Sequence, residues 1–243
     1  MKTETPDRHG ERGFSLLELV ISMGLTVVVM SLAAQLIASG VHIKAREERR
    51  IDAVADVRRA LNAMSREISN AGYGLPAGLP ANGIVEADSD TTQLRLLSNS
   101  DAFSTEAGAT PDSVTSPDED VILRLVDDGA TGQSYIMRFD VNSAVAGYSV
   151  LANRIDSMSI RYFDRRVTYS PGRCEDGIDA ASVRDAAGNA LAEVPPSRAK
   201  YLVIAVCVTL PAVGTPGAPG HQPPSSTQLI SDVQLRNAQG ASY

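Results

Sequence analysis

The chain has 243 residues, 43% hydrophobic, 21% charged and 5% aromatic, with no Trp, two Cys, three His and a formal net charge of −7. His9 lies in the first dozen residues, His42 near the end of an apolar run and His221 among prolines, so they can build neither a His/Cys metal cluster nor a His-dependent catalytic triad. The acidic balance argues against nucleic acid as a partner, because phosphate binding needs a basic face.

A mean hydropathy of −0.07 averages two unlike regions. Residues 1–13 are short and neutral, with Lys2, Arg8 and Arg12 against Glu4, Asp7 and Glu11. Residues 14–43 then carry a single charge, Glu18, and 20 apolar residues in 30 positions. A helix of about 20 apolar residues spans a hydrocarbon core, so a membrane segment is expected here in preference to a buried core helix. The run is too long for the apolar part of a secretory signal, about 7–15 residues, and no Ala-x-Ala follows it. Lys44, Arg46, Arg49 and Arg50 outweigh Glu47 and Glu48 on the far side, so charge alone leaves the orientation open. A carboxylate such as Glu18 costs about 2–3 kcal/mol in lipid unless it is partnered or near the interface. No Lys or Arg lies within residues 14–43. Either Glu18 reaches the headgroups, or another chain supplies its cation, for example a free α-amino group.

Beyond the apolar run, Ile51, Val54, Val57, Leu61, Met64 and Ile68 form one helical stripe, and residues 44–72 read as an amphipathic continuation of the same helix. The stripe suits either a core face under a sheet or a seam for other helices. The core face is preferred, because the domain that follows needs something to pack on. Gly72, Gly74 and Pro76 are expected to end the helix, and Gly24 and the Ser39–Gly40 pair mark places where it can bend or locally melt.

Residues 73–243 hold 12 basic and 20 acidic residues, a net of −8. Strands are expected at 93–98, 121–126, 134–140, 155–164, 201–210 and 227–236. In 155–164, Met158, Ile160 and Tyr162 alternate with Ser159, Arg161 and Phe163, the pattern of a half-buried strand. Residues 201–210 are apolar on both faces, as a central strand under a helix would be. Loops are expected at 99–120, 170–197 and 211–226, the last rich in Pro and Gly and read as disordered or extended. The acidic groups Asp118-Glu119-Asp120, Asp127-Asp128 and Glu175-Asp176-Gly177-Ile178-Asp179 lack EF-hand spacing and read as solvated turn residues. No metal or cofactor is assigned.

The order Arg12-Gly13-Phe14-Ser15-Leu16-Leu17-Glu18, opening a long apolar helix, resembles the prepilin leader and N-terminal helix of type IV pilins and type II secretion pseudopilins. The resemblance implies cleavage after Gly13 by a prepilin peptidase on the cytoplasmic side, and N-methylation of the new terminus, Phe14. It implies that Glu18 neutralises the terminal amine of a neighbouring subunit during filament assembly. It also implies a single pass through the inner membrane, with a cytoplasmic leader and a periplasmic head, followed by passage into an extracellular pilus. The expected fold is α+β: a long N-terminal helix packed on an antiparallel β-sheet head. Three further pieces resemble PilW-type minor pilins: the helix end at 66–74, the strand at 155–164 and the ending at 233–237.

Exported domains permit disulfides, so Cys174 and Cys207 either pair, pinning the 170–197 loop to the sheet, or remain as a loop thiol and a buried strand thiol. The leading expectation is a non-enzymatic minor pilin that primes or caps a type IV pilus. Its partners would be other minor and major pilins through the N-terminal helix, the peptidase and the inner-membrane assembly platform. A J-type minor pseudopilin of type II secretion shares the layout. A membrane-anchored binding module or adhesin is the alternative of another class. An anchored enzyme lacks an evident histidine base and a Gly-x-Ser-x-Gly motif.

Overall fold

The computed structural model describes residues 15–105, 113–130, 132–145, 147–217 and 221–238, so the leader and Phe14 lie outside the described residues. Helix α1, Leu16–Asn70, opens the described chain. Two compact units divide it. One holds the described residues through Glu47 together with those of Val213–Gln222; the other comprises Glu48–Ala212 and Pro223 onward.

In the first unit α1 stays helical through Gly24 and Ser39–Gly40, the positions expected to bend or melt. Its apolar side chains stand exposed, from Leu16 at 81% to Leu36 at 75%. Described residues on either side of the centre of the 211–226 loop, expected to be disordered or extended, are bonded to each other and to α1. Val213 and Gln222 exchange backbone hydrogen bonds of 3.0 and 2.9 Å, and Arg46 Nη1 donates to Gln222 Oε1 at 2.9 Å.

The second unit is built from seven strands among the described residues. Strands β1 (Gln93–Leu97), β2 (Asp120–Asp128), β3 (Gln133–Asp140) and β4 (Tyr148–Ile155) form one antiparallel sheet in that order. Strands β5 (Ser157–Phe163), β6 (Tyr201–Leu210) and β7 (Ser225–Gln234) form a second, with β6 at its centre. The antiparallel head expected from the sequence is therefore divided into two sheets. The expected strand at 155–164 also divides, because Ile155 ends β4 and Asp156 separates it from β5. β5 is buried on both faces, with Ser159 and Phe163 covered as well as Met158 and Ile160, so it is not the half-buried strand that its alternation suggested.

The C-terminal half of α1 supplies the core. Val57, Ala60, Leu61, Met64 and Ile68 pack with Leu94, Leu96, Leu123 and Ile136 of the first sheet and with Leu202, Ile204, Val206 and Val208 of the second. Burying each large aliphatic side chain stabilises by about 1.5–3 kcal/mol. Ile51, counted in the stripe, stays exposed at 64%, so the core face begins near Ala53 and Val57. Alternate residues of β6, Tyr201 and Val203, point to a second core with Phe163, Val167, Ile178 and Val183, roofed by the segment between β5 and β6. The helix ends where Gly72 takes φ +80° and its amide donates to Leu97 O at 2.9 Å. Gly83 passes so close that a Cβ there would lie 2.1 Å from the Gly72 nitrogen.

Candidate functional site

Helix α1 starts on the backbone carbonyl of Ser15, which accepts from Glu18 N at 3.0 Å and Leu19 N at 3.1 Å. Ser15 and Glu18 have the spacing of a helix-capping box, and Glu18 occupies the first turn, where the helix dipole favours a carboxylate by about 0.3–1 kcal/mol. Sequence reading missed this local role. No cation among the described residues pairs with Glu18. Gly13 and Phe14, the expected processing positions, lie outside the described residues.

The helix that follows is long and apolar enough to cross a membrane, and none of its apolar window is buried by the described residues. Two of its hydroxyl groups are satisfied internally. Ser22 Oγ donates to Leu19 O at 2.9 Å, and Thr26 Oγ1 donates to Ser22 O at 2.7 Å. Such bonds remove the cost of placing hydroxyls in lipid. A Cβ built on Gly24 or Gly40 meets nothing within 4 Å, so both leave notches where another helix backbone can approach. The arrangement is an exposed apolar surface that no described residue of the chain covers.

In the head, Cys174 and Cys207 are bonded, with Cα atoms 5.4 Å apart across 33 positions. The bridge joins the roofing segment to central strand β6. Around it, Ser157 Oγ donates to Cys174 O at 2.6 Å, and the Gln228 side-chain amide donates to Gly177 O at 2.5 Å. Two of the sequence pieces noted above meet at the helix end. The Asn237 side-chain amide donates to Asn70 O at 3.3 Å and Ala71 O at 3.2 Å, capping carbonyls that the helix leaves without partners.

The first acidic cluster is not the solvated turn that the sequence suggested. Glu119 is fully buried and accepts from Ser100 N, Ser100 Oγ and Ser116 N at 2.9–3.1 Å, tying the described ends of the 99–120 loop together. Asp120 takes a bidentate pair from Arg95 at 2.9 and 2.7 Å, while Arg95 Nη1 donates to Asp88 at 2.6 Å. Arg138 ties β3 to α1 through Glu67 at 2.7 Å and reaches Asp118 at 2.6 Å. Burial opposes the charge on Arg138, but these two carboxylates prevail and raise its pKa. Asp127 accepts from Ser134 Oγ, Asp128 from Ala130 N, and Asp179 from Ala181 N. Sequence reading missed the roles of the first cluster because Ser100, Arg138 and Arg95 lie 19 to 25 positions from the acids they meet, whereas Asp128 and Asp179 accept from amides two positions on, as turn residues do.

The other displaced ionisations also follow from packing. Burial pushes the Tyr162 hydroxyl above its ordinary range, and that hydroxyl donates to Asp90 O at 2.6 Å. Burial opposes ionisation of Asp90, yet the Thr92 and Gln93 amides outweigh it and hold its pKa low. A cavity of about 590 Å³ beside Asn82 carries Asp164, Arg165, Arg198 and Lys200, in which Arg165 pairs with Asp164 at 3.0 Å. None of these side chains makes a nucleophile–base pair. The surface that calls for explanation is therefore the exposed apolar half of α1.

Comparison with known proteins bears on that half. A family model for the prokaryotic N-terminal methylation motif matches residues 8–34, which supports a type IV pilin-like protein and, with it, peptidase processing and assembly with other pilins. No curated protein and no solved structure matches the chain.

Proposed function

We propose that the chain is a minor pilin, a structural subunit that primes or caps a type IV pilus. After cleavage following Gly13 and methylation of Phe14, it leaves the inner membrane laterally. The apolar half of α1 exchanges lipid for the helices of other pilins, and the acidic head turns outward. The observation that carries this reading is a methylation-motif match over 8–34 on a helix whose N-terminal apolar half stays exposed among the described residues. The Gly24 notch and the internally bonded Ser22 and Thr26 suit close helix packing without water. Glu18, in the first turn, is available to the amine of a neighbouring Phe14. The PilW-type assignment draws support from the helix end, β5 and the 233–237 segment, two of which touch through Asn237.

Mass spectrometry of the mature N-terminus tests processing: N-methyl-Phe14 is expected, and an intact Met1 makes the protein a plain anchor or adhesin. Glu18→Ala and Gly13→Ala are expected to lower surface piliation with the head still folded. Normal piliation in both, at normal protein levels, would overturn the assembly role. Loss of secretion with piliation intact would reassign the chain to a type II secretion pseudopilin.

A further inference from the structure

The corner where β4 leaves the first sheet holds two arginines that no other described residue engages through their side chains. Ser134 pairs with Ile155 and Tyr135 with Asn153, so Arg154 is the extra residue of a β-bulge. Its φ is +59°, the left-handed region where glycine is usual. Bulges re-aim side chains, and a strained residue held against its preference is a pointer to function. Arg154 lines a cavity of about 480 Å³ together with Arg49 of α1, Gly132, Ser134 and Thr209.

Neither Arg49 nor Arg154 makes a side-chain hydrogen bond or ion pair among the described residues. Arg95 and Arg138, by contrast, each hold two carboxylates. Asp156 is the one acid on the lining, and its carboxylate is already engaged by the Thr209 amide. Two uncommitted guanidiniums thus share a cleft with one occupied carboxylate. Planar guanidinium forks match tetrahedral oxyanions, and Arg suits such sites because it sheds water readily.

The geometry points to a phosphate-binding cleft at Arg49 and Arg154, supplied by the headgroup of an anionic phospholipid. Arg49 lies six residues past Ile43, about 9 Å of helical rise beyond the apolar run. That distance, spanned by an arginine side chain, reaches the polar layer outside the hydrocarbon core. The lipid as source rests on the membrane-anchor reading above, whereas the phosphate chemistry does not. Occupancy would hold the head at the membrane surface until the helix is drawn into a filament.

Native mass spectrometry of the full chain in nonionic micelles doped with phosphatidylglycerol or phosphatidylcholine tests this. Wild-type protein is expected to retain phosphatidylglycerol and not phosphatidylcholine, with millimolar inorganic phosphate competing. The double variant Arg49→Gln/Arg154→Gly is expected to lower retention about tenfold or more. Glycine suits φ +59°, so this variant keeps its fold, which a thermal melt with the disulfide intact checks. Arg50→Gln, a basic neighbour outside the lining, is expected to change nothing. Phosphate binding that is lost in the double variant, without preference between the lipids, retains the phosphate cleft and overturns its lipid source alone. Equal retention by the double variant, equal loss in Arg50→Gln, displacement by acetate as effective as by phosphate, or no binding of either probe would overturn the proposal.

Discussion

The two halves of α1 are made of similar side chains and have opposite fates. Met64 is fully buried against both sheets, whereas Leu36, on the same helix, is 75% exposed. Burial of apolar surface is favourable at about 25 cal/mol per Å², so the second half carries free energy of folding, while the first leaves its share for lipid or other chains. One continuous secondary structure therefore divides between a folding function and an association function, with the division near residues 47–53. Substitutions of one kind placed in the two halves should separate these functions.

The largest effect is expected from that matched pair. Met64→Ala should lower head stability by about 2–5 kcal/mol, as lost burial plus a cavity. Leu36→Ala should change it by less than about 0.5 kcal/mol. Denaturant melts in micelles, followed by head-specific near-ultraviolet dichroism, measure both. Equal losses would erase the distinction between the halves. Breaking the Cys174–Cys207 bond by a double Cys→Ser change should cost about 3–4 kcal/mol for a loop of 33 positions, again seen only in the head. The same double variant should leave N-terminal processing unchanged. Next in size, Arg138→Met strands Glu67 on α1 and Asp118 across from it, and about 1–2 kcal/mol should be lost from the docking of the second half. Arg50→Met, an exposed cation two positions past Glu48, should be neutral within about 0.5 kcal/mol.

The second half was legible in the sequence because Val57, Leu61, Met64 and Ile68 repeat at helical spacing, and periodicity reports a face directly. The Gly13-to-Glu18 order, a linear motif, was equally legible. β4 was not read because its Tyr148, Ser149 and Val150 are all exposed, so alternation has no burial to reflect. The bulge at Arg154 then shifts the buried positions from Ala152 to Ile155, which breaks the period of two. The single residue Asp156 separates two sheets with no Gly or Pro to signal it. Glu119 reads as a turn acid because local sequence does not reveal that Ser100, nineteen positions earlier, closes over it. The cavity at Arg49 and Arg154 draws on residues more than a hundred positions apart, a relation that tertiary packing alone creates.

A further effect is an alkaline one, and it too falls on one region. Burial, reinforced by the negative charge of Asp232, pushes the Tyr201 hydroxyl up to about 12. Burial likewise raises Tyr169, whose hydroxyl donates to Asp232 Oδ1 at 2.5 Å. A folded-state pKa above the unfolded value of about 10 means that the contribution to stability is complete below pH 10. It is lost as the pH climbs through 10 towards 12, because the unfolded chain releases those protons first. The head should therefore weaken progressively over that interval, while the apolar half of α1, which contains no tyrosine, takes no part. Asp232→Asn keeps an oxygen to accept from Tyr169 and removes the charge, so the folded pKa values should fall and the alkaline limb should flatten. Near-ultraviolet dichroism of wild type and variant from pH 9 to 12 measures this. A wild-type signal that stays flat, or a variant more alkali-sensitive than wild type, would show that phenolate formation at this corner does not oppose folding.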